Sequence, residues 1–191
     1  MQYSSTIQGL DFDPSRIMLH EQDRALVLQN QAKPDSLYRM DLETGKIVDE
    51  WKTGKEVADF NPVSKFAQTT AEQNLFGVAD HSMFRIDPRV NGGKVTKGGE
   101  KTYKTKNMGL SKIVTTEAGW IVVGNDKGEV RLFDELGKNA NTLIPGLGDP
   151  ITGLDVSSDG KFVLVTCSRY LLLIETLRKE NNGFTKKWAK D

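Results

Sequence analysis

Cysteine, histidine and long apolar runs are all scarce in this chain, and each scarcity removes a class of fold or chemistry. Cys167 is the one cysteine in 191 residues, so no internal disulfide can form and a reducing compartment is expected. The two histidines, His20 and His81, sit in neither an H-x-x-x-H nor a C-x-x-C spacing; no metal and no cofactor is expected. No apolar stretch approaches the roughly 20 residues that cross a bilayer. The opening MQYSSTIQGLDF lacks a basic segment followed by an apolar one, so neither a leader nor a transmembrane segment is expected, and the expected localisation is cytoplasmic. Excess charge is missing too. With 26 basic residues against 26 acidic ones, general binding to nucleic acid or to anionic membranes is not expected. There is no G-x-S-x-G elbow and no G-x-x-x-x-G-K-[ST] phosphate loop. Asp11-Phe-Asp13 opens like a calcium loop, but Arg16 stands where glycine is needed and Gln22 where a bidentate glutamate is needed.

What is present is a repeat. The segments SLYRMD, SMFRID and GEVRLFD place Arg39, Arg85 and Arg131 at two equal steps of 46 residues, a period typical of stacked supersecondary units. Within each unit, short β-branched or aromatic runs alternate with turns such as Asn125-Asp-Lys-Gly128 and Ser157-Ser-Asp-Gly160, the pattern of antiparallel hairpins. The third and fourth units align without gaps from Leu154 onward, so Ile121 falls on Phe162 and Arg131 on Leu172; the first unit needs about three extra residues around Gln31 to Pro34. No stretch carries a 3.6-residue apolar period. The fold expected is therefore all-β: a WD40-like β-propeller of about four blades, each of four antiparallel strands. Candidate blades are 17–56, 57–106, 107–148 and 149–191, forming a single propeller segment. Four blades lie at the lower limit of ring size, so the chain is expected to be part of a larger propeller whose missing remainder is itself a partner.

Several runs resemble the vacuolar import and degradation protein 27 family, which is fungal with plant relatives. They are Met18-Leu-His-Glu-Gln-Asp23, Ser36-Leu-Tyr-Arg-Met-Asp-Leu42, Val48-Asp-Glu-Trp51, Phe84-Arg-Ile-Asp-Pro-Arg89, Gly148-Asp-Pro-Ile-Thr-Gly-Leu-Asp-Val156 and Tyr170-Leu-Leu-Leu-Ile-Glu-Thr-Leu177. The likeness runs from about residue 12 to about residue 178 with order and spacing kept. It implies a WD40-like propeller in a longer protein connected with delivery of cytosolic enzymes to the vacuole for degradation. It implies no catalytic residues.

Candidate partner-binding residues are few. Arg39, Arg85 and Arg131, at equivalent repeat positions, would form an arc able to grip carboxylates or phosphates; alternatively each stacks between blades and pairs with a local acid, and Leu172 in the fourth unit favours that. Lys94, Lys97, Lys101, Lys104 and Lys106 crowd one connection; Lys101, Lys104 and Lys106 are its candidate contacts to an acidic partner, against the plain alternative of a solvated loop. The leading expectation is a non-enzymatic protein–protein interaction module with no catalytic, cofactor-binding or metal residues. The rival is a propeller hydrolase or lyase working in the central channel, for which the innermost strands offer only Asp59, Lys112 and Asp155. A third reading is an incomplete propeller fragment with no independent activity.

Overall fold

A computed structural model of the protein describes residues 12–91, 94–104 and 108–188. Seventeen strands and one 3₁₀ turn, Ala67–Thr69, make up its regular structure, with no α-helix among the described residues. The first sheet runs β1 (Pro14–His20), β2 (Ala25–Asn30), β3 (Ser36–Asp41) and β4 (Lys46–Lys52). The second holds β5 (Asp59–Pro62), β6 (Leu75–Ala79), β7 (Ser82–Ile86) and β8 (Val95–Thr102), and the third β9 (Leu110–Thr115), β10 (Ile121–Asn125), β11 (Val130–Phe133) and β12 (Thr142–Ile144). Each is an antiparallel meander in chain order. The fourth is three-stranded, with β13 (Ile151–Val156), β14 (Phe162–Cys167) and β15 (Leu171–Glu175). Beyond Glu175 the chain leaves the sheet and forms a separate hairpin of β16 (Leu177–Arg178) and β17 (Asn181–Asn182).

Alternation along a strand sends neighbouring side chains to opposite faces, and both faces of an inner sheet are apolar here. The core therefore consists of three seams and a smaller cluster of Phe12, Leu28 and Tyr38 on the outer face of the first sheet. Val27, Leu37 and Trp51 of the first sheet meet Phe60, Leu75, Phe84 and Ile86 of the second. Phe76, Val78 and Met83 then meet Ile113, Ile121, Val123 and Phe133 of the third. Val122, Val130 and Leu132 meet Ile151, Val163, Val165 and Cys167 of the fourth. After the last hairpin Phe184 returns into this third seam, fully buried, and stacks on Trp120 with ring centroids 5.2 Å apart.

Turn length sets the register. Seven residues separate Gln29 from Leu37 in the first sheet, four separate Val78 from Met83 in the second, and five separate Gly124 from Val130 in the third. The gapless alignment of the third and fourth units needs correction at one hairpin. Thr115 pairs with Ile121 but Val156 pairs with Val163, so the turn before β14 is one residue longer and Val163, not Phe162, corresponds to Ile121. The turn after β14 is one residue shorter, and Leu172 again corresponds to Arg131.

Candidate functional site

The four innermost strands are β1, β5, β9 and β13. Register puts Arg16 opposite Gln29, Asp59 opposite Val78 and Lys112 opposite Gly124, so the three charges stand at one level on successive sheets. Asp59 is buried. Its Oδ2 accepts the Ile113 backbone N–H at 3.0 Å, and its Oδ1 lies 2.5 Å from Arg16 Nε. The same guanidinium donates to the Phe60 carbonyl at 3.1 and 3.3 Å and lies 5.6 Å from the Phe60 ring. Burial pushes the Asp59 carboxyl up, against the downward pull of Arg16. Asp155 lies two residues beyond Gly153, the position that matches Lys112, and is held by Lys65 Nζ at 2.8 Å; that ammonium also donates to the Val156 carbonyl at 2.5 Å. Lys112 and Arg16 line a cavity of about 320 Å³ with Ser15, Gln29 and Val57. Asp59 thus ties the second sheet to the first and third, and Asp155 ties the fourth sheet to Lys65 of the second.

The candidate arginines are not brought together. Arg39 pairs across the sheet with Val27 and so borders the first seam; Arg85 pairs with Phe76 and borders the second. Arg131 pairs with Val123, on the opposite face of its sheet, and borders the second seam from the other side. The cause is the extra residue between Gly124 and Val130: a shift of one residue reverses every side chain. The true counterpart of Arg85 is Leu132. Each guanidinium also has its own neighbour. Arg39 donates to both Glu21 carboxylate oxygens at 2.8 and 2.6 Å, which holds that carboxyl below its usual range. Arg85 lies 5.5 Å from the Phe76 ring centroid, and Arg131 donates to Glu129 at 2.9 Å.

A larger groove of about 620 Å³ opens where the connections between sheets meet the turns between second and third strands. Its floor is Pro34, Val57, Ala58, Ala79 and Leu110; its rim carries Lys55, Glu56, Asp80, His81 and Asp126. The rim is fixed by backbone bonds. Gly109 N–H donates to Asp80 Oδ1 at 2.9 Å, and Asp126 N–H donates to the Gly109 carbonyl at 2.9 Å. Gly109 has φ +64°, and a Cβ there would stand 2.1 Å from the Asp126 carboxylate, so this close approach needs glycine. Asn125 locks the neighbouring turn: its Oδ1 accepts the N–H groups of Lys127 and Glu129, and its Nδ2 donates to Glu129 Oε2. Lys55 reaches across to Glu100 at 2.8 Å and holds that carboxyl down.

Of the candidate lysines, Lys101 donates to Asn139 Oδ1 at 2.8 Å and lies 5.8 Å from the Tyr103 ring centroid. Tyr103 N–H donates to the His81 carbonyl at 2.9 Å, and Lys104, the next residue, is exposed. Lys106 lies outside the described residues. His20 is buried against Trp51, with ring centroids 6.0 Å apart, and burial lowers its pKa. Cys167 is buried in the third seam, with Sγ 3.8 Å from the Asp149 carbonyl. Glu56, Asp80 and His81 did not stand out in the sequence, because they come from separate connections and share no motif.

The comparisons with known proteins agree with this architecture. The solved WD40 domain of Neurospora crassa Pan2 superposes with a TM-score of 0.61 at 14% identity, over 85% of this chain and 48% of that one. A Schizosaccharomyces pombe protein named vacuolar import and degradation protein 27 is 50% identical over 98% of this chain; its Saccharomyces cerevisiae namesake is 42% identical over 95%. The chain spans 24% of the length of each of these relatives. The family model described as the VID27 C-terminal WD40-like domain matches residues 1–191. The fold is an all-β, WD40-like propeller array, and the chain belongs to the VID27 C-terminal WD40-like domain family.

Proposed function

We propose that the chain is a non-enzymatic protein-docking module, that its groove beside Glu56, Asp80 and His81 receives a segment of a partner protein, and that it acts in the cytoplasm in vacuolar import and degradation, the process for which its relatives are named. The observation that carries this reading is the groove: an apolar floor within a charged rim, built on loops that rigid sheets hold in place. Lys101, near the end of β8, and the exposed Lys104 just beyond it are further candidate contacts to an acidic segment. Arg39 contributes at the first seam, and Arg85 and Arg131 at opposite sides of the second, with no shared ring. The rival enzyme reading loses support because Asp59 and Asp155 are engaged by Arg16, Lys65 and backbone N–H groups that hold the sheets together.

Affinity capture tests it. Glu56→Lys combined with Lys104→Glu inverts exposed rim charge without touching the hydrogen bonds that fix the loops. The pair is expected to lose most specifically captured protein while leaving Tm unchanged. Unchanged capture together with turnover of any substrate that Asp155→Asn abolishes would overturn the docking reading in favour of channel catalysis.

A further inference from the structure

Two cavities of opposite charge share one wall. The groove of about 620 Å³ and the channel cavity of about 320 Å³ are both lined by Pro34, Val57 and Ala58. On the groove side the rim carries three exposed carboxylates, Glu56, Asp80 and Asp126. The lysine on that rim, Lys55, is held by Glu100 at 2.8 Å. On the channel side no Asp or Glu lines the cavity among the described residues, whereas Arg16 and Lys112 do. The neutral polar groups of that cavity are tied into its wall. Ser15 Oγ donates to the Gln29 carbonyl at 3.3 Å, and the Gln29 amide, only 6% exposed, donates to the Val57 carbonyl.

The two cations differ in what balances them. Arg16 meets Asp59 at 2.5 Å and donates to the Phe60 carbonyl. Lys112 is half-buried on an inner strand, yet among the described residues its ammonium makes no hydrogen bond and no ion pair. An ammonium carries three donors and is costly to desolvate without an acceptor. Arg16, Asp59 and Lys112 together leave one positive charge in excess. A single carboxylate balances it, whereas a phosphate group at about two negative charges would overshoot.

We propose that the segment received by the groove carries an acidic side chain that crosses the Pro34–Val57–Ala58 wall and pairs with Lys112 in the channel. This rests on the docking reading of the groove and adds the chemistry and direction of what docks. The acidic rim repels a carboxylate on its own side, so the charge pattern admits the segment in one orientation. Complementarity of this kind sets register and rejects wrong partners more than it adds affinity. An apolar residue beside the acid rests on Ala79 and Leu110 of the floor.

Short degenerate peptides with one position fixed in turn as Glu, Leu, Lys or Ala give the test, each with free and with amidated C-termini, against the gene product as the cell makes it. The protein is expected to select Glu beside an apolar residue, with either C-terminus. The selected peptide is expected to bind Lys112→Gln about tenfold more weakly at unchanged Tm, and Lys112→Glu is expected to select Lys in place of Glu. Should Lys112→Glu fail to fold, Lys112→Gln alone decides. Apolar selection without an acidic preference, an acidic preference that Lys112→Gln leaves intact, or binding that requires a free C-terminal carboxylate overturns the proposal and leaves groove docking standing. Inorganic phosphate that binds the unaltered protein but not Lys112→Gln, without acidic selection, assigns the cavity to a free anion and overturns it equally. Selection of no peptide overturns the docking reading and this proposal together.

Discussion

The third and fourth sheets share a register and an apolar pattern, yet one is covered on both faces and the other on one. Val122, Val130 and Leu132 are core residues, whereas Leu164, Leu171 and Leu173 at the same positions are exposed. The strands themselves do not differ in kind. What differs is the neighbour: β13 and β14 lie over the third sheet, and among the described residues no sheet lies over the fourth. In a repeat array the stabilisation of a side chain belongs to the interface between units more than to the unit. Position within the array, and not residue type, decides what each leucine contributes.

The largest effect expected from this comparison is at Leu132. Truncation of a fully buried leucine loses transfer free energy and leaves a cavity in a close-packed seam. Leu132→Ala should therefore destabilise the protein by about 2–5 kcal/mol, measured by urea unfolding at constant m-value. Leu132 also lies against the returning C-terminal segment: a Cβ added at Gly183 would stand 3.0 Å from its Cδ1. Loosening of the Phe184–Trp120 stack should accompany the loss, seen as a changed tryptophan fluorescence maximum. A cost below about 1 kcal/mol would mean that the third seam is not the rigid interface its burial indicates.

Much of this architecture was legible before any coordinates, because period-2 alternation and glycine-containing turns mark strands strongly. The face on which a side chain lies was much less legible. Arg85 and Arg131 stand an even 46 residues apart, but the turn ahead of β11 holds one residue more than the turn ahead of β7. Asn125-Asp-Lys-Gly128 reads plainly as a turn, while the number of residues it leaves unpaired depends on hydrogen bonds no local pattern reveals. Arg16 was missed for a different reason. It sits on β1, outside the first candidate blade, and its partner Asp59 comes from another sheet. The groove assembles Glu56, Asp80 and Asp126 from three connections, and tertiary proximity of that kind leaves no spacing to recognise.

The second effect in size concerns the turn that separates the two sheets most clearly. Asn125 closes the β10–β11 connection with four side-chain hydrogen bonds, including one to the Met108 carbonyl at 3.2 Å. Its counterpart in the fourth sheet is Cys167, whose backbone N–H instead donates to the Tyr170 carbonyl across a shorter turn. Asn125→Ala leaves the Lys127 and Glu129 N–H groups without their acceptor and should cost about 1–3 kcal/mol. Cys167→Ala, which removes a small side chain and one weak S–H contact to the Asp149 carbonyl, should cost less. Equal costs for the two would show that the third-sheet turn holds its register without Asn125, and hydrogen exchange at Lys127 and Glu129 would locate the change.

The smallest effect is the most discriminating, because it is expected at a residue chemically identical to the one with the largest. Leu173→Ala in the 191-residue chain removes a side chain that is already mostly in water, so little transfer free energy is lost and no cavity forms. Its cost should stay within about 0.5 kcal/mol, against several for Leu132→Ala at the same register position. The ratio between the two substitutions therefore measures coverage of the face directly. Repeated in the gene product as the cell makes it, Leu173→Ala should approach the cost of Leu132→Ala if a further blade seals the fourth sheet. A cost that stays near zero in both settings would mean that the outer face of the fourth sheet meets solvent, and that the array ends where β15 does.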